Sequence, residues 1–246
     1  MSVTLVGGGL AVESYGAIYG GFLQDAAARA ARRDDGVPRI AIITVREPGD
    51  LDRHARELSD ALGAAGAFTP AFTTIAEGET VPASALADTD DHGADVDGIL
   101  IGGGLTPAYL AAVLPVAGRI RSLVENGVPY LGFSAGAMIA PDHALIGGWR
   151  IGDVQVSPEQ GGEDLDEVTI SPGIGLLDVT VDVHAVQWGN LSRLIATVDA
   201  GLVDGGIAID ENTALVLETG ALRAVGAGTV WLVARTEGGV TVRTVA

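Results

Sequence analysis

The sequence contains neither cysteine nor lysine; all 14 of its basic residues are arginine. Without cysteine there can be no disulfide, no thiolate nucleophile and no cysteine-built zinc or iron–sulfur centre. Without lysine there is no Schiff-base amine and no complete phosphate loop of the Gly-x-x-x-x-Gly-Lys type. Apolar runs are short, and none approaches the ~20 residues that a membrane helix needs. Residues 1–7 carry no basic segment of a secretory signal, so a cytoplasmic setting with no membrane partner is expected. Positive charge is scarce too: 32 acidic residues leave a net charge of −18. So acidic a chain is a poor partner for a nucleic-acid backbone, which is bound by clustered cations.

What is present is an apolar chain of 246 residues, 48% hydrophobic, enough to bury the core of a single domain over residues 1–246. Strand-like runs at 3–6, 39–45, 68–75, 98–101 and 128–133 alternate with helical spacing at 17–33, 51–65 and 107–125. That alternation predicts βα units around a mainly parallel sheet. Residues 77–97, which include Asp88-Thr89-Asp90-Asp91, read as a helix-and-loop excursion. Beyond residue 147 the apolar pieces shorten, with one helix at about 187–197. Breaks at Glu218-Thr219-Gly220, Gly226-Ala227-Gly228 and Glu237-Gly238-Gly239 are hairpin signals. The expected fold is a three-layer α/β/α sandwich with a mainly parallel sheet and additional C-terminal antiparallel strands.

The stretch Gly132-Phe133-Ser134-Ala135-Gly136 follows a predicted strand and precedes a helix. A nucleophile on a sharp strand-to-helix turn needs small residues two positions to either side, and Gly132 and Gly136 provide them. Ser134 is then the candidate nucleophile, with the Ala135 N–H available to an oxyanion. Gly102-Gly103-Gly104, after the apolar strand at 98–101, can supply a second donor from Gly103 or Gly104, because bare backbone allows close approach. Gly7-Gly8-Gly9 lacks the Gly-x-Gly-x-x-Gly spacing of a dinucleotide loop.

Serine needs a base, and only four histidines exist. His54 reads as a solvated side chain on a surface helix and His92 as part of the acidic excursion. His143 lies at the far end of the helix begun at Ser134. His184 ends an apolar strand and precedes a helix, the place where α/β sites are built, and is the preferred base. No His-x-x-x-His or His-Glu-x-x-His pattern is present, so neither metal nor cofactor is expected.

Phe133-Ser134-Ala135-Gly136-Ala137, Asp182-Val183-His184, the segment from Gly206 through Asp210-Glu211-Asn212 to Val216, and Val225-Gly226-Ala227-Gly228 together resemble the S51 serine peptidases. That family contains the cyanophycinases and the aspartyl dipeptidases of the peptidase E type, on a fold similar to class I glutamine amidotransferases. The resemblance implies a Ser134–His184 pair that hydrolyses peptide or isopeptide bonds beside an aspartyl or related residue, through an acyl-enzyme, in a homodimer. It also implies that Gly103, Gly104 and Ala135 form the oxyanion hole.

This chain departs from the family pattern in the substrate loops. Leu105 replaces a polar residue before the matching Thr106, and Trp188 and Asn190 stand where cyanophycinases carry two of three arginines. Arg193 fits the third, either pairing with Asp182 or Glu211 or receiving a substrate carboxylate. Leu105, Thr106, Trp188 and Arg193 are therefore the candidate substrate contacts. Trp149 stands where the dipeptidases have their aspartate. Asp153 is the candidate acid behind the histidine, with Asp182 the runner-up and Asp142 and Glu159 as further alternatives. Two other functions fit the same residues: a noncatalytic relative that only binds, and an esterase or amidase.

Overall fold

The computed structural model describes residues 2–32, 36–46, 52–87, 96–218 and 221–245. Four strands and two helices come first: β1 (Val3–Val6), α1 (Tyr15–Ala30), β2 (Arg39–Arg46), α2 (Arg53–Gly63), β3 (Thr69–Ala76) and β4 (Gly98–Ile101). Helices α3 (Thr106–Val113) and α4 (Ala117–Glu125) lead to β5 (Tyr130–Phe133) and the single-turn helix α5 (Ala135–Met138). The helical spacing predicted over 107–125 is thus divided. The division falls on Leu114–Val116, where Pro115 has no N–H to continue an α-helical ladder and a 3₁₀ turn intervenes.

Strands β6 (His143–Gly147), β7 (Arg150–Ile151), β8 (Val154–Gln155), β9 (Thr169–Pro172) and β10 (Thr180–Val183) then precede α6 (Asn190–Asp199). The chain closes with β11 (Gly205–Ile209), β12 (Thr213–Glu218), β13 (Ala221–Gly226), β14 (Val230–Thr236) and β15 (Gly239–Val245). Of the predicted excursion at 77–97, the structure describes a 3₁₀ turn at Ala83–Leu86; Asp88-Thr89-Asp90-Asp91 and His92 lie outside the described residues.

Seven strands form the main sheet in the order β13-β12-β1-β5-β4-β2-β3. The run from β1 to β3 is parallel, whereas β12 pairs antiparallel with β1 and β13 with β12. Strands β1, β4 and β5 are buried along their whole length, which their uninterrupted apolar sequences require of a parallel sheet covered on both faces. Ile18, Phe22, Leu58 and Leu62 of α1 and α2 pack on one face against Ile40, Ile42, Leu100 and Leu131. Tyr109, Leu110, Ile120 and Leu123 of α3 and α4 cover the other, against Leu5, Ile43, Ile99 and Ile101. That is the three-layer arrangement.

The C-terminal strands divide between two sheets. β12 and β13 extend the main sheet, while β14 and β15 join β10 and β11 in a separate four-stranded sheet ordered β10-β11-β14-β15. Helix α6 packs Leu194 and Val198 on that sheet beside Ala208 and Val233. Because β10 and β11 are parallel, their carboxyl ends open on the same side, and the turns after β1, β4, β5, β10 and β11 meet there. Open α/β sheets bind ligands at such carboxyl edges.

Candidate active site

Ser134 sits between β5 and α5 with φ 50° and ψ −108°, a conformation that L-residues rarely adopt. Its neighbours permit the bend. A Cβ on Gly132 would stand 2.3 Å from the Gly136 carbonyl oxygen, and one on Gly136 would stand 2.3 Å from that of Ile101. The Ser134 Oγ lies 2.9 Å from Nε2 of His184, which follows β10. Both side chains are nearly sealed from solvent.

His184 also has a left-handed backbone, φ 53°, and its N–H donates to the Gly7 carbonyl at 3.1 Å. Its ring lies against Gly8, where an added Cβ would fall 2.1 Å from Cε1. The first glycine run, which has no phosphate-loop spacing, thus forms the bed of the imidazole. On the other side the Trp188 indole stacks on the imidazole, with centroids 3.9 Å apart and planes at 7°.

The carboxylate that meets the second ring nitrogen of His184 is that of Glu211. Its Oε1 is 2.8 Å from His184 Nδ1. Asp153 does not occupy that place: it is exposed in the turn between β7 and β8. Asp182 does not either, because both of its oxygens are held by Arg193, at 2.9 Å from Nε and 2.7 Å from Nη2. Glu211 belongs to the corner after β11, where three consecutive polar residues each hold a different segment. Asp210 accepts from the Val186 and Thr229 amides, Glu211 meets His184, and Asn212 accepts from the Ala11 amide. The sequence signal was that polar triplet between two apolar strands.

Burial is the largest influence on His184 and pushes its pKa below the usual histidine value; the hydrogen bond and charge of Glu211 oppose that shift. A neutral imidazole at neutral pH is the state that can accept the serine proton.

The Gly103 N–H is engaged by His54 Nε2 at 3.1 Å, whereas the N–H groups of Gly104 and Ala135 donate to no acceptor among the described residues. His54 therefore belongs to the site, not to a solvated helix surface. In sequence its arginine-flanked, polar surroundings read as solvated surface, yet its ring docks on the glycine loop. His143 is exposed at the start of β6.

These groups open into a cleft of about 1010 Å³. Leu105 and Trp188 line it, but two of the expected substrate contacts do not. Thr106 is fully buried, with its N–H on Glu163 at 2.9 Å and its hydroxyl directed at the Met138 sulfur. Arg193 is fully buried too, and besides Asp182 it donates to the Gly148 and Gly161 carbonyls. It thereby anchors the strap 148–167, whose Trp149, Glu159, Glu163, Asp164 and Asp166 form one wall of the cleft. Glu77 adds a fifth carboxylate, and no arginine lines the cleft among the described residues. Burial raises the Glu163 pKa above the ordinary carboxylate range. No group of three or more potential ligating side chains suited to a metal ion is found among the described residues. Nor is any described helix long and apolar enough to cross a membrane.

No family model matches the chain. It is 36% identical over 126 residues to a cyanophycinase of Trichormus variabilis, covering 50% of this chain and 39% of that protein. It is 33% identical over 141 residues to a cyanophycinase of Synechococcus elongatus, covering 55% and 41%. The chain thus matches only about two fifths of the length of these relatives. Among solved structures, a peptidase from an acI-B1 Actinobacterium superposes with a TM-score of 0.56 at 19% identity, covering 94% of this chain and 89% of that one. A candidate peptidase E protein from Listeria monocytogenes EGD-e gives 0.55 at 14% identity, covering 92% and 98%. Cyanophycinases thus match about half of this chain, and the two solved peptidases share its fold.

Proposed function

We propose that the protein is a serine peptidase that hydrolyses short peptide or isopeptide bonds through an acyl-enzyme. One observation carries this reading: the continuous line from Ser134 Oγ through His184 to Glu211, at 2.9 and 2.8 Å, beside two uncommitted backbone amides. Ser134 Oγ attacks the carbonyl carbon while His184 Nε2 takes its proton, and Glu211 stabilises the imidazolium that forms. The Ala135 and Gly104 N–H groups hold the oxyanion. The C–N bond then breaks as His184 returns the proton to the leaving amine. Water, deprotonated by the same imidazole, attacks the acyl carbon and releases the acid and free Ser134.

The resemblance brings an aspartyl group with it. The cleft wall adds a condition on charge. Five carboxylates line it, and the two guanidinium groups nearest the strap are already committed, Arg193 to Asp182 and Arg150 to Asp166. Among the described residues a free substrate carboxylate meets no arginine in the cleft lining, whereas a basic residue flanking the scissile bond meets opposite charge.

The test is hydrolysis of matched α- and β-aspartyl dipeptides carrying a basic, neutral or acidic second residue. Turnover that is highest with the basic series and abolished in Ser134→Ala supports the reading. Turnover that survives in Ser134→Ala refutes the nucleophile, and a preference for the acidic series refutes the charge condition.

A further inference from the structure

The glycine loop after β4 has nearly all of its peptide groups committed. The Gly102 carbonyl accepts from the Gly136 N–H at 2.9 Å, and the Gly103 carbonyl accepts from the buried Tyr109 hydroxyl at 2.8 Å. The Gly103 N–H donates to His54 Nε2. In a trans peptide the C=O and N–H point to opposite sides. Fixing the Gly103 carbonyl on Tyr109 therefore turns the Gly104 N–H the other way, and this is the amide left without an acceptor, on a residue that lines the cleft. Three successive glycines have the greatest backbone freedom of any sequence, so the loop holds this orientation only if something outside it restrains it. It also lies hard against the nucleophile, since a Cβ on Gly103 would be 2.7 Å from that of Ser134.

We propose that His54 is a positioning residue for the serine chemistry. Its Nε2 lone pair and the Tyr109 hydroxyl clamp the glycine loop so that the Gly104 N–H stays aimed at the oxyanion. His54 is suited to this because its ring is itself held. It rests against Phe133 with centroids 5.7 Å apart, and its Nδ1 faces Glu57 at 3.8 Å. To accept at Nε2, the neutral ring carries its proton on Nδ1, toward that carboxylate. The clamp joins two βα units: α2 supplies the acceptor, and the loop after β4 supplies the donor to the oxyanion. This inference rests on the serine-peptidase reading for its catalytic meaning, but the hydrogen bond itself is open to independent measurement.

The experiment uses the full chain, a fluorophosphonate as probe, and the variants His54→Ala and His54→Gln. In phosphonylation the Ser134 oxygen bonds to phosphorus, the P–F bond breaks, fluoride leaves, and the hydroxyl proton passes to His184. The charge that develops on the phosphoryl oxygen needs the same amides as a carbonyl oxyanion. Glutamine places an acceptor oxygen near the Nε2 position, whereas alanine removes it. His54→Ala should react about 10-fold or more slowly than the unmodified chain, and His54→Gln should recover to within about threefold of it, because one misplaced oxyanion donor is costly. In parallel, hydrogen exchange of the Gly103 amide by NMR should be faster in His54→Ala and protected in the unmodified chain and in His54→Gln. Any of three results overturns the clamp: phosphonylation of His54→Ala at the unmodified rate, His54→Gln as slow as His54→Ala, or Gly103 exchange indifferent to residue 54. If the unmodified chain forms no adduct at Ser134, the peptidase reading fails, and the Gly103 exchange alone decides whether the clamp exists.

Discussion

Arg193 grips Asp182 with both arms of its guanidinium, two residues before His184, with neither side chain exposed to solvent. The third nitrogen of Arg193 reaches back to the Gly148 and Gly161 carbonyls, so a single buried cation ties β10, α6 and the cleft strap together. The neighbouring Asp182 charge is the main force holding Arg193 protonated against the penalty of burial. Arg193→Leu leaves Asp182 buried and uncompensated, and the expected loss of stability is about 3–5 kcal/mol, read from urea unfolding. Replacing both residues by leucine should recover part of that loss, because the stranded charge is then gone.

Glu211→Gln should lower kcat by about 10²- to 10⁴-fold with little change in KM, since the imidazolium loses the carboxylate that supports it. The pH profile distinguishes this from a misfolded site. Burial lowers the His184 pKa, and the Glu211 hydrogen bond and charge push it back up. Removing the charge therefore lowers it further. Activity requires the neutral imidazole and rises as pH passes through that pKa, so the acid limb of kcat/KM should move to lower pH in the variant. A limb moving to higher pH would contradict the assignment.

Gly8→Ala tests the bed beneath the imidazole. The new methyl would need to occupy space 2.1 Å from His184 Cε1, on a backbone with φ of 95°. Either the ring or the glycine turn must shift, and a displacement near 1 Å at a reacting group costs on the order of 10²-fold in rate. The expected result is a loss of that size in kcat, measured on whichever dipeptide the unmodified chain turns over. A variant of undiminished kcat would mean that the turn does not hold the histidine.

The sharp bend at Ser134 is legible from local signals. The two glycines needed by its bend lie within two residues of it, and β5 and α5 follow directly from apolar pattern and small residues. His184 was legible for a related reason: it ends a buried strand at the carboxyl edge of its sheet. Glu211 was not, because it meets His184 from 27 residues away, and the contact depends on β10 and β11 lying side by side in a second sheet. Nearness in sequence favoured Asp153 and Asp182 instead, one of which lies in an exposed turn and the other in an ion pair. His54 was misread on composition, since a polar, arginine-flanked segment looks like surface wherever its first turn happens to dock. The C-terminal hairpins were legible as hairpins, but their partition between two sheets was not, since that depends on pairing partners distant in the chain.

The central claim is that Ser134 is a nucleophile activated by His184. Intact-mass analysis and peptide mapping after incubation with a fluorophosphonate test it most directly. The account predicts one phosphonyl adduct per chain, mapped to Ser134, absent from Ser134→Ala and strongly slowed in His184→Ala. A folded chain that stays unmodified, or an adduct that persists in Ser134→Ala, would contradict it.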